Sequence, residues 1–261
     1  MLAGVSTACF YPTPTENSLL QLGKMGVKAC ELFINSTLEL KPEFLRLLRG
    51  TADFYGTRIV SLHPCSSTIE PFLFFSNYPR RFDEGLELFR LYYQAAAYLG
   101  AKIVVFHGNR RNSIVESDIY FEHFDILHRE AAAFGVELCQ ENVSRCTSGS
   151  MEFLQEMAKA LPNVRFVFDT KQAVRAGYDV SAFSKSIASR IAHVHLSDNT
   201  ATQDCLLPWH GTFNIPEFLL DIKSCGIDPA VIVEVYSHNY MNSVEISASY
   251  QQLCSALSTL R

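Results

Sequence analysis

The stretch from Val136 to Glu234 contains four short apolar runs, which read VELCQE at 136–141, VRFVFD at 164–169, IAHVH at 191–195 and VIVE at 231–234. Each run ends in a residue that can bind a metal ion, and three of these residues are carboxylic acids. An ionised carboxylate that is taken out of water in an apolar strand needs a partner or a cation. Four such residues in succession suggest that they share one cation.

Short apolar runs of this kind recur along the whole chain. Eight are predicted as strands: Ala3–Cys9, Val27–Ile34, Ile59–His63, Lys102–His107, Val136–Glu141, Val164–Asp169, Ile191–His195 and Ala230–Val235. Segments with helical spacing lie between them, at Pro42–Tyr55, Arg81–Leu99, Ser117–Phe134, Ser150–Leu161, Ile215–Cys225 and Ser243–Leu260. Strands that alternate with helices imply parallel strands joined by right-handed crossovers.

Two architectures fit this alternation, namely a closed barrel of eight strands and an open doubly wound sheet. The near-continuous apolar runs suit strands that are covered on both faces in either architecture. An open nucleotide-binding sheet carries a GxGxxG turn after its first strand, whereas residues 7–12 of this chain read TACFYP. We therefore predict an α/β fold in which residues 1–261 form one (β/α)8 barrel domain, since that fold typically takes roughly 250 residues.

Composition narrows the setting in which the protein acts. The formal net charge of −5 argues against a nucleic-acid partner, because such proteins usually present a basic face. No apolar run approaches the roughly 18 residues of a membrane span, and the N-terminus lacks the features of a signal peptide. The eight cysteines form no CxxC pair and are interpreted as reduced, buried thiols. We expect a cytoplasmic protein without membrane partners.

Barrel geometry predicts that the polar residues at the strand ends form one site. The carboxyl ends of all strands open at the same face of a (β/α)8 barrel, where active sites are found. Seven residues are expected to surround this mouth: Glu31, His63, His107, Glu141, Asp169, His195 and Glu234.

The motifs that carry these residues, in the order SLHP, VVFHGN, CQEN, VFDTKQ, HVHLSD and VIVEVY, resemble those of the xylose isomerase-like TIM barrel superfamily. The resemblance is to its sugar (phosphate) isomerase and epimerase branch, which is related to endonuclease IV. It covers nearly the whole chain. Each motif is short, so the specificity of the resemblance comes from their order at successive strand ends.

The resemblance implies one divalent metal ion held by four ligands: Glu141, Asp169, His195 and Glu234. Three carboxylates and one imidazole form a hard, mostly oxygen shell, which suits Mn²⁺ first and Mg²⁺, Co²⁺ or Zn²⁺ as alternatives. The resemblance also implies that Glu141 and Glu234 are catalytic. One would remove a proton beside the carbonyl of a small ketose, ketose phosphate or related polyol, and the other would return it, through a metal-stabilised enediolate.

Six further residues are predicted to contact the substrate: His63, His107, Gln172, His193, Glu31 and Trp209. A packing role for the two strand-end histidines, a buried ion pair with Arg or Lys for Glu31 and loop packing for Trp209 remain as alternatives. Gln172 stands where family members usually carry His in a DTxH pattern. Lys171 and Arg175 are candidate partners for a substrate phosphate or carboxylate.

Three other functions compete with the isomerase hypothesis. A keto-inositol dehydratase would use the same metal and acid–base groups, and a non-catalytic barrel would bind a sugar without turning it over. A nuclease like endonuclease IV is disfavoured, because Gln172 removes a ligand for further metal ions and the chain is acidic. The aromatic residues Phe72–Phe75 with Tyr78 form either a wall over the site or a contact in a homo-oligomer.

Overall fold

Eight parallel strands, hydrogen-bonded in sequence order, close into a barrel in the computed structural model, which describes residues 1–260. The barrel closes where the first strand pairs with the last, with Leu2 opposite Ala230 and Val5 opposite Val233. The strands are β1 (Leu2–Ser6), β2 (Ala29–Ile34), β3 (Arg58–Pro64), β4 (Ile103–Phe106), β5 (Glu137–Glu141), β6 (Phe166–Asp169), β7 (Ile191–Leu196) and β8 (Ala230–Val233). The predicted (β/α)8 barrel is confirmed.

Helices cover the outside of the barrel. They are α1 (Thr15–Lys24), α2 (Pro42–Tyr55), α3 (Glu70–Phe74), α4 (Pro79–Leu99), α5 (Ser117–Ala133), α6 (Met151–Ala160), α7 (Thr170–Arg175), α8 (Val180–Ile187), α9 (Ile215–Ser224) and α10 (Ser243–Thr259). The six helices predicted from spacing all form. The four that were not predicted, α1, α3, α7 and α8, have at most 10 residues each, which is too short for a clear apolar period.

Several predicted strands are too long by one to three residues. β1 ends at Ser6 rather than Cys9, because the Ser6 hydroxyl accepts a hydrogen bond from the Ala8 N–H and begins a 3-10 turn. β4 ends at Phe106 because the N–H of His107 donates to the carboxylate of Glu70 instead of to a neighbouring strand. β8 ends at Val233, so Glu234 is the first residue beyond it.

The barrel interior changes character from its floor to its mouth. Two small clusters built from strand residues fill the lower part, one around Val105, Cys139 and Val167 and another around Ala29, Val60 and Ile232. Because side chains alternate along a strand, residues two positions further on face the same interior. On β5 and β6 these are Glu141 and Asp169, so the ionisable residues lie above the aliphatic floor.

A register shift in the β2–β3 pair adjusts one wall of the mouth. Cys30 lies opposite Ile59, but Glu31 lies opposite Ser61, so Val60 is an extra residue in β3. Such a bulge re-aims the side chains that follow it. Here it sets the hydroxyl of Ser61 2.8 Å from Oε2 of Glu31.

The cysteine prediction is correct for five of the eight thiols. Cys9, Cys30, Cys139, Cys146 and Cys205 are buried, whereas Cys65 and Cys225 are exposed and Cys254 is intermediate; all eight are free. Cys65 and Cys225 lie just after β3 and α9, respectively, so they emerge at the surface rather than inside an element. Among residues 1–260, no helix has the length and apolarity needed to cross a membrane.

Candidate metal centre

The four predicted ligands meet at the carboxyl mouth of the barrel. Glu141, Asp169, His195 and Glu234 each offer one ligand atom, and these atoms all lie within 4.8 Å of one another. All four residues are buried, with at most 7% of any one exposed. Nδ1 of His195 is 3.0 Å from Oε1 of Glu141 and 3.1 Å from Oε2 of Glu234. Nδ1 is therefore the ring nitrogen that faces the carboxylates of Glu141 and Glu234.

Asp169 is held by the start of α7 and by β5. Its Oδ1 accepts a hydrogen bond from the N–H of Gln172 and so caps the helix. The side-chain amide of Asn142 donates to the Asp169 carbonyl at 3.0 Å, and its oxygen accepts from the Asp169 N–H at 2.6 Å. These bonds fix the backbone, and they leave Oδ2 pointing into the cluster.

Oδ2 of Asp169 tests whether the residues fit a metal ion. It is buried and accepts no hydrogen bond from any residue among 1–260. Nζ of Lys171 lies 2.9 Å away, close enough for an ion pair, but it is not oriented to make a hydrogen bond. Lys171 shares its charge between this oxygen and Glu234, so one ammonium faces two buried carboxylates, and a further cation would offset the remaining negative charge. Three carboxylates and one imidazole nitrogen around this point fit a hard divalent ion.

Two other groupings overlap this set of four. One contains Glu31, His63, His195 and Glu234, and the other contains His63, His107 and Glu141. We prefer the set with Asp169, since Glu31 already has protein donors at both oxygens.

The charges within the cluster offset one another. Burial alone would raise the pKa of Glu141, but the hydrogen bond and charge of His195 outweigh burial and lower this pKa to about 2. Burial also opposes ionisation of Glu234, yet His195 and Lys171 hold its pKa well below the usual value. Burial would lower the pKa of His195, whereas Glu234 and Glu31 raise it well above the usual value. Ion binding at Nδ1 of His195 therefore requires release of a proton.

Glu31 lies behind His195 and is fully buried. Its Oε2 is 3.0 Å from Nε2 of His195 and 3.0 Å from Nε2 of His193. Its Oε1 is 3.2 Å from Nδ1 of His63. A carboxylate at Nε2 favours the tautomer of His195 that leaves Nδ1 free as a ligand. The buried partners of Glu31 are thus histidines rather than Arg or Lys, and its contact with substrate stays a prediction.

His63 and His107 face each other at the same mouth. Their Nε2 atoms are 2.8 Å apart, which is hydrogen-bond distance. The pKa of His63 is lowered by burial but raised more strongly by Glu234 and Glu31, to about 10. Nδ1 of His107 is 2.8 Å from Oε1 of Glu70. Neither histidine is a surface residue, and their predicted contact with substrate is untested.

Gly108 allows the chain to turn sharply after His107. Its φ is +90°, which favours glycine, and a Cβ at this position would collide with the hydroxyl of Tyr120. That hydroxyl donates to Oε1 of Gln140, whose amide donates in turn to the carbonyls of His107 and Glu141. The glycine of VVFHGN and the glutamine of CQEN thus position the residues beside them.

The remaining predicted contacts lie at different depths. Oε1 of Gln172 accepts hydrogen bonds from the N–H and hydroxyl of Ser144, so it ties α7 to the loop after β5. His193 is fully buried, with Nε2 near Glu31 and Nδ1 without a partner among residues 1–260. Trp209 is half-buried against the main core. In the described residues it makes no hydrogen bond to the cluster, and its contact with a sugar stays a prediction.

The sequence did not predict the roles of two buried residues near the site, Glu70 and Lys171. Glu70 accepts hydrogen bonds from the hydroxyl of Ser66 and from the N–H groups of His107 and Gly108. Its Oε1 also lies at hydrogen-bond distance from Nδ1 of His107. Lys171 lies 2.9 Å from Asp169 and 3.3 Å from Glu234, so it is an internal cation of the cluster.

Arg175, the other basic residue considered for a substrate anion, is engaged elsewhere. Its guanidinium pairs with Asp204 and donates to the hydroxyl of Tyr236 at 2.7 Å. Lys171 is likewise occupied by the carboxylates of the cluster. Both cations therefore have partners within the protein, and their contact with a substrate anion stays a prediction.

Comparison with known proteins identifies the family. The model of the xylose isomerase-like TIM barrel family matches residues 19–258, and the chain therefore belongs to this family. Comparison of the sequence with curated proteins gives no match.

Solved structures share the whole fold. A D-tagatose 3-epimerase-like protein is 22% identical, with a TM-score of 0.82 over 100% of this chain and 98% of that one. The IOLI protein with a bound zinc atom is 18% identical, with a TM-score of 0.78 over 100% and 99%. The 3-keto-D-glucoside 4-epimerase YcjR from E. coli is 14% identical, with a TM-score of 0.75 over 99% and 100%. At these identities the likeness establishes the fold.

Proposed function

We propose that the protein is a divalent-metal-dependent isomerase or epimerase of a small ketose, ketose phosphate or related polyol. Glu141, Asp169, His195 and Glu234 would hold the ion, with Mn²⁺ as the first expectation. The ion, when bound, would withdraw electrons from the carbonyl and hydroxyl oxygens of the ketose and so acidify the neighbouring C–H.

The observation that carries this proposal is that the two carboxylate oxygens of each glutamate have different neighbours. Oε1 of Glu141 faces Nδ1 of His195 at 3.0 Å, while its Oε2 is 3.8 Å from Nε2 of His107. Glu234 is arranged in the same way, with Oε2 3.1 Å from Nδ1 of His195 and Oε1 3.4 Å from Nδ1 of His63. Each glutamate can therefore bind the ion through one oxygen and move a proton with the other.

The two glutamates then act as an acid–base pair. One carboxylate takes the proton from the carbon next to the carbonyl, and the other returns a proton. Return to the opposite face of the same carbon gives an epimer, and return to the neighbouring carbon gives an isomer. The similar structures include a D-tagatose 3-epimerase-like protein, a 3-keto-D-glucoside 4-epimerase and a protein with a bound zinc atom, which supports this kind of reaction and a bound metal.

The test is exchange of substrate protons with solvent. Ketoses, their phosphates and inososes are incubated in D₂O with Mn²⁺-loaded protein, and deuterium incorporation is read by NMR after chelation of the metal. We expect exchange with the wild type and none with Glu141→Gln or Glu234→Gln. Glu137→Gln, which changes the same residue type at the other end of β5, is the matched control and keeps the exchange.

Two further outcomes separate the alternatives. Loss of water from an inosose, instead of exchange, would identify a dehydratase that uses the same residues. Protein that purifies without a stoichiometric divalent ion and whose melting temperature ignores both Mn²⁺ and EDTA would contradict the enzyme proposal and favour a non-catalytic sugar-binding barrel.

A further inference from the structure

A second feature of the mouth is a pocket of about 710 Å³ formed by the segments that follow β3, β4 and β5, including α3 and the start of α4. Its lining includes Arg81, Arg110, Arg111 and Arg145, together with Phe72 and Asn109. We call these six residues and the space between them the arginine pocket. It is separate from the carboxylate cluster and opposite to it in charge.

The positive charge of the arginine pocket is not neutralised by the protein. None of its lining residues is acidic, and among residues 1–260 no carboxylate oxygen lies within 4.0 Å of these four guanidinium groups. Elsewhere in this acidic chain, four arginines lie 3.0 Å or less from a carboxylate: Arg49, Arg90, Arg129 and Arg175. All four arginines are exposed, so water and salt screen much of their mutual repulsion, and an anion between them would reduce it further.

The walls of the pocket are held in place by hydrogen bonds. The N–H of Arg111 donates to the carbonyl of Arg145 at 3.0 Å, and a single antiparallel bridge joins Arg110 to Cys146. Nη2 of Arg145 donates to the hydroxyl of Ser67 at 2.6 Å. The loops after β3, β4 and β5 therefore form one connected wall.

Aromatic contacts fix two of the guanidinium groups. Arg110 lies over the ring of Phe72 at 4.8 Å and Arg81 lies near the same ring at 5.9 Å. Phe72 is half-exposed, whereas its neighbours Phe74 and Phe75 are buried in the core. The aromatic run thus contributes both to the core and to a wall of this pocket. Guanidinium groups oriented in advance lose less freedom when they bind a planar anion.

The pocket is formed by segments that leave the same mouth of the barrel as the candidate metal centre. Asn109 follows His107 by two residues, and Arg145 follows Glu141 by four. An extended chain covers at most about 3.6 Å per residue, so these separations are at most about 7 and 14 Å. A sugar that binds the metal centre through its carbonyl end therefore has the arginine pocket on the side of the mouth that follows β4 and β5.

We propose that the arginine pocket binds an anionic group, either a phosphate monoester or a carboxylate, at the end of the substrate remote from the reacting carbons. This proposal rests on the proposed isomerase function, because it takes the metal centre as the site of the carbonyl. Guanidinium groups bind both anions through paired, charge-assisted hydrogen bonds. Lys171 and Arg175 do not compete for this role, because carboxylates of the protein already occupy them.

The experiment compares matched neutral and anionic sugars on the Mg²⁺-loaded protein. The probes are D-fructose, D-fructose 6-phosphate and D-fructuronate, and the same three forms of D-tagatose. Titration calorimetry gives the dissociation constants, and proton exchange in D₂O is measured in parallel. We expect one anionic form to bind at least about tenfold more tightly than the neutral sugar. The phosphate and carboxylate arms show which anion the pocket prefers.

Variants assign this preference to the pocket. Arg110→Gln combined with Arg145→Gln is expected to remove the preference for the anionic form. The control pair Arg46→Gln with Arg58→Gln makes the same change in net charge at exposed positions on α2 and at the start of β3, and it keeps the preference. Arg111→Gln alone covers the case in which the double variant fails to fold, with a smaller loss expected.

The outcomes are distinguishable from those of the proposed function. Equal binding of neutral and anionic sugars by the wild type overturns the arginine pocket proposal, as does a preference that survives in the arginine variants. Exchange limited to neutral sugars would keep the isomerase and reject the anion site. Arginine-dependent binding of an anionic sugar without exchange of any of the six would keep the anion site and reject the isomerase.

Discussion

The two halves of the barrel mouth treat their carboxylates differently. In the half formed by β2 to β4, Glu31 accepts hydrogen bonds from two serine hydroxyls and faces three histidines. Glu70 accepts from a serine hydroxyl and two backbone N–H groups and faces His107. In the half formed by β5 to β8, Oδ2 of Asp169 accepts nothing among residues 1–260. In the first half both carboxylates have donors at both oxygens, whereas in the second half Oδ2 of Asp169 has an ion pair with Lys171 but accepts no hydrogen bond among residues 1–260.

This difference separates supporting carboxylates from metal ligands. A buried carboxylate with a full set of donors is stabilised by the protein, and removing it leaves those donors without a partner. Oδ2 of Asp169 accepts no hydrogen bond and shares the ammonium of Lys171 with Glu234, so a divalent ion would supply charge that the protein does not. We therefore expect substitutions in the second half to lower metal affinity most. Substitutions in the first half are expected to lower the unfolding free energy, with a smaller effect on metal affinity.

Asp169→Asn is expected to give the largest loss of metal affinity, because it neutralises the ligand oxygen that has no donor. Affinity for Mn²⁺, measured by titration calorimetry, should fall by more than the about 10–100-fold typical of changes outside the ligand shell. The unfolding free energy of the metal-free protein should also fall, because Asn keeps the helix cap but removes one of the two carboxylates beside the buried ammonium of Lys171.

Asp179→Asn is the matched control for this change. Asp179 caps α8 through a 2.8 Å bond from the N–H of Ala182, and it is exposed. It should leave Mn²⁺ affinity at the wild-type value. Wild-type affinity in Asp169→Asn would show that the aspartate with the unpaired oxygen is not a ligand.

Glu31→Gln is expected to have an intermediate effect, because Glu31 lies in the supported half but touches a ligand. Loss of its charge beside Nε2 of His195 weakens the preference for the tautomer that presents Nδ1 to the metal. Mn²⁺ affinity should fall by about 10–100-fold, and ¹⁵N NMR of the imidazole in metal-free protein should show a changed balance of ring protonation. Glu39→Gln, at a half-buried glutamate outside the cluster, should do neither. An unchanged His195 spectrum together with unchanged affinity would contradict this role.

The residues at the strand ends of both halves could be predicted from the sequence, because the carboxyl ends of all strands in a (β/α)8 barrel open at one mouth. His63, Glu141, Asp169 and His195 end or nearly end apolar runs, and they meet as the barrel geometry requires. The alternation of side chains also predicts that His193 and His195 share a face, and both approach Glu31.

The supporting residues could not be predicted in the same way, since they do not follow the strand-end rule. Glu70 lies on a five-residue helix, and its contact with His107 depends on how a loop packs against β4. Lys171 precedes Gln172 in a motif where attention falls on the missing histidine, and only the geometry of α7 turns its amine toward Asp169. The residues of the arginine pocket come from the segments after three different strands, and no periodic sequence pattern predicts how these segments pack together.

Glu70→Gln is expected to have the smallest effect on the metal and a clear effect on stability. Glu70 is fully buried and contacts no member of the ligand set, so Mn²⁺ affinity should stay within about threefold of wild type. An amide in its place can keep its oxygen on the N–H groups of His107 and Gly108, but it turns an NH2 group toward Ser66 and the His107 ring and loses the charge of all these hydrogen bonds. Unfolding by urea should show a loss of about 2–4 kcal/mol.

Glu84→Gln, an exposed glutamate on α4, should leave both quantities at the wild-type values. The pair of measurements on Glu70→Gln decides whether the two halves are truly different. If this variant loses Mn²⁺ as severely as Asp169→Asn while its unfolding free energy is unchanged, hydrogen-bond completeness does not separate supporting carboxylates from ligands. If it unfolds more easily and still binds Mn²⁺, the half formed by β2 to β4 holds His107 in place and the ion depends on the half formed by β5 to β8.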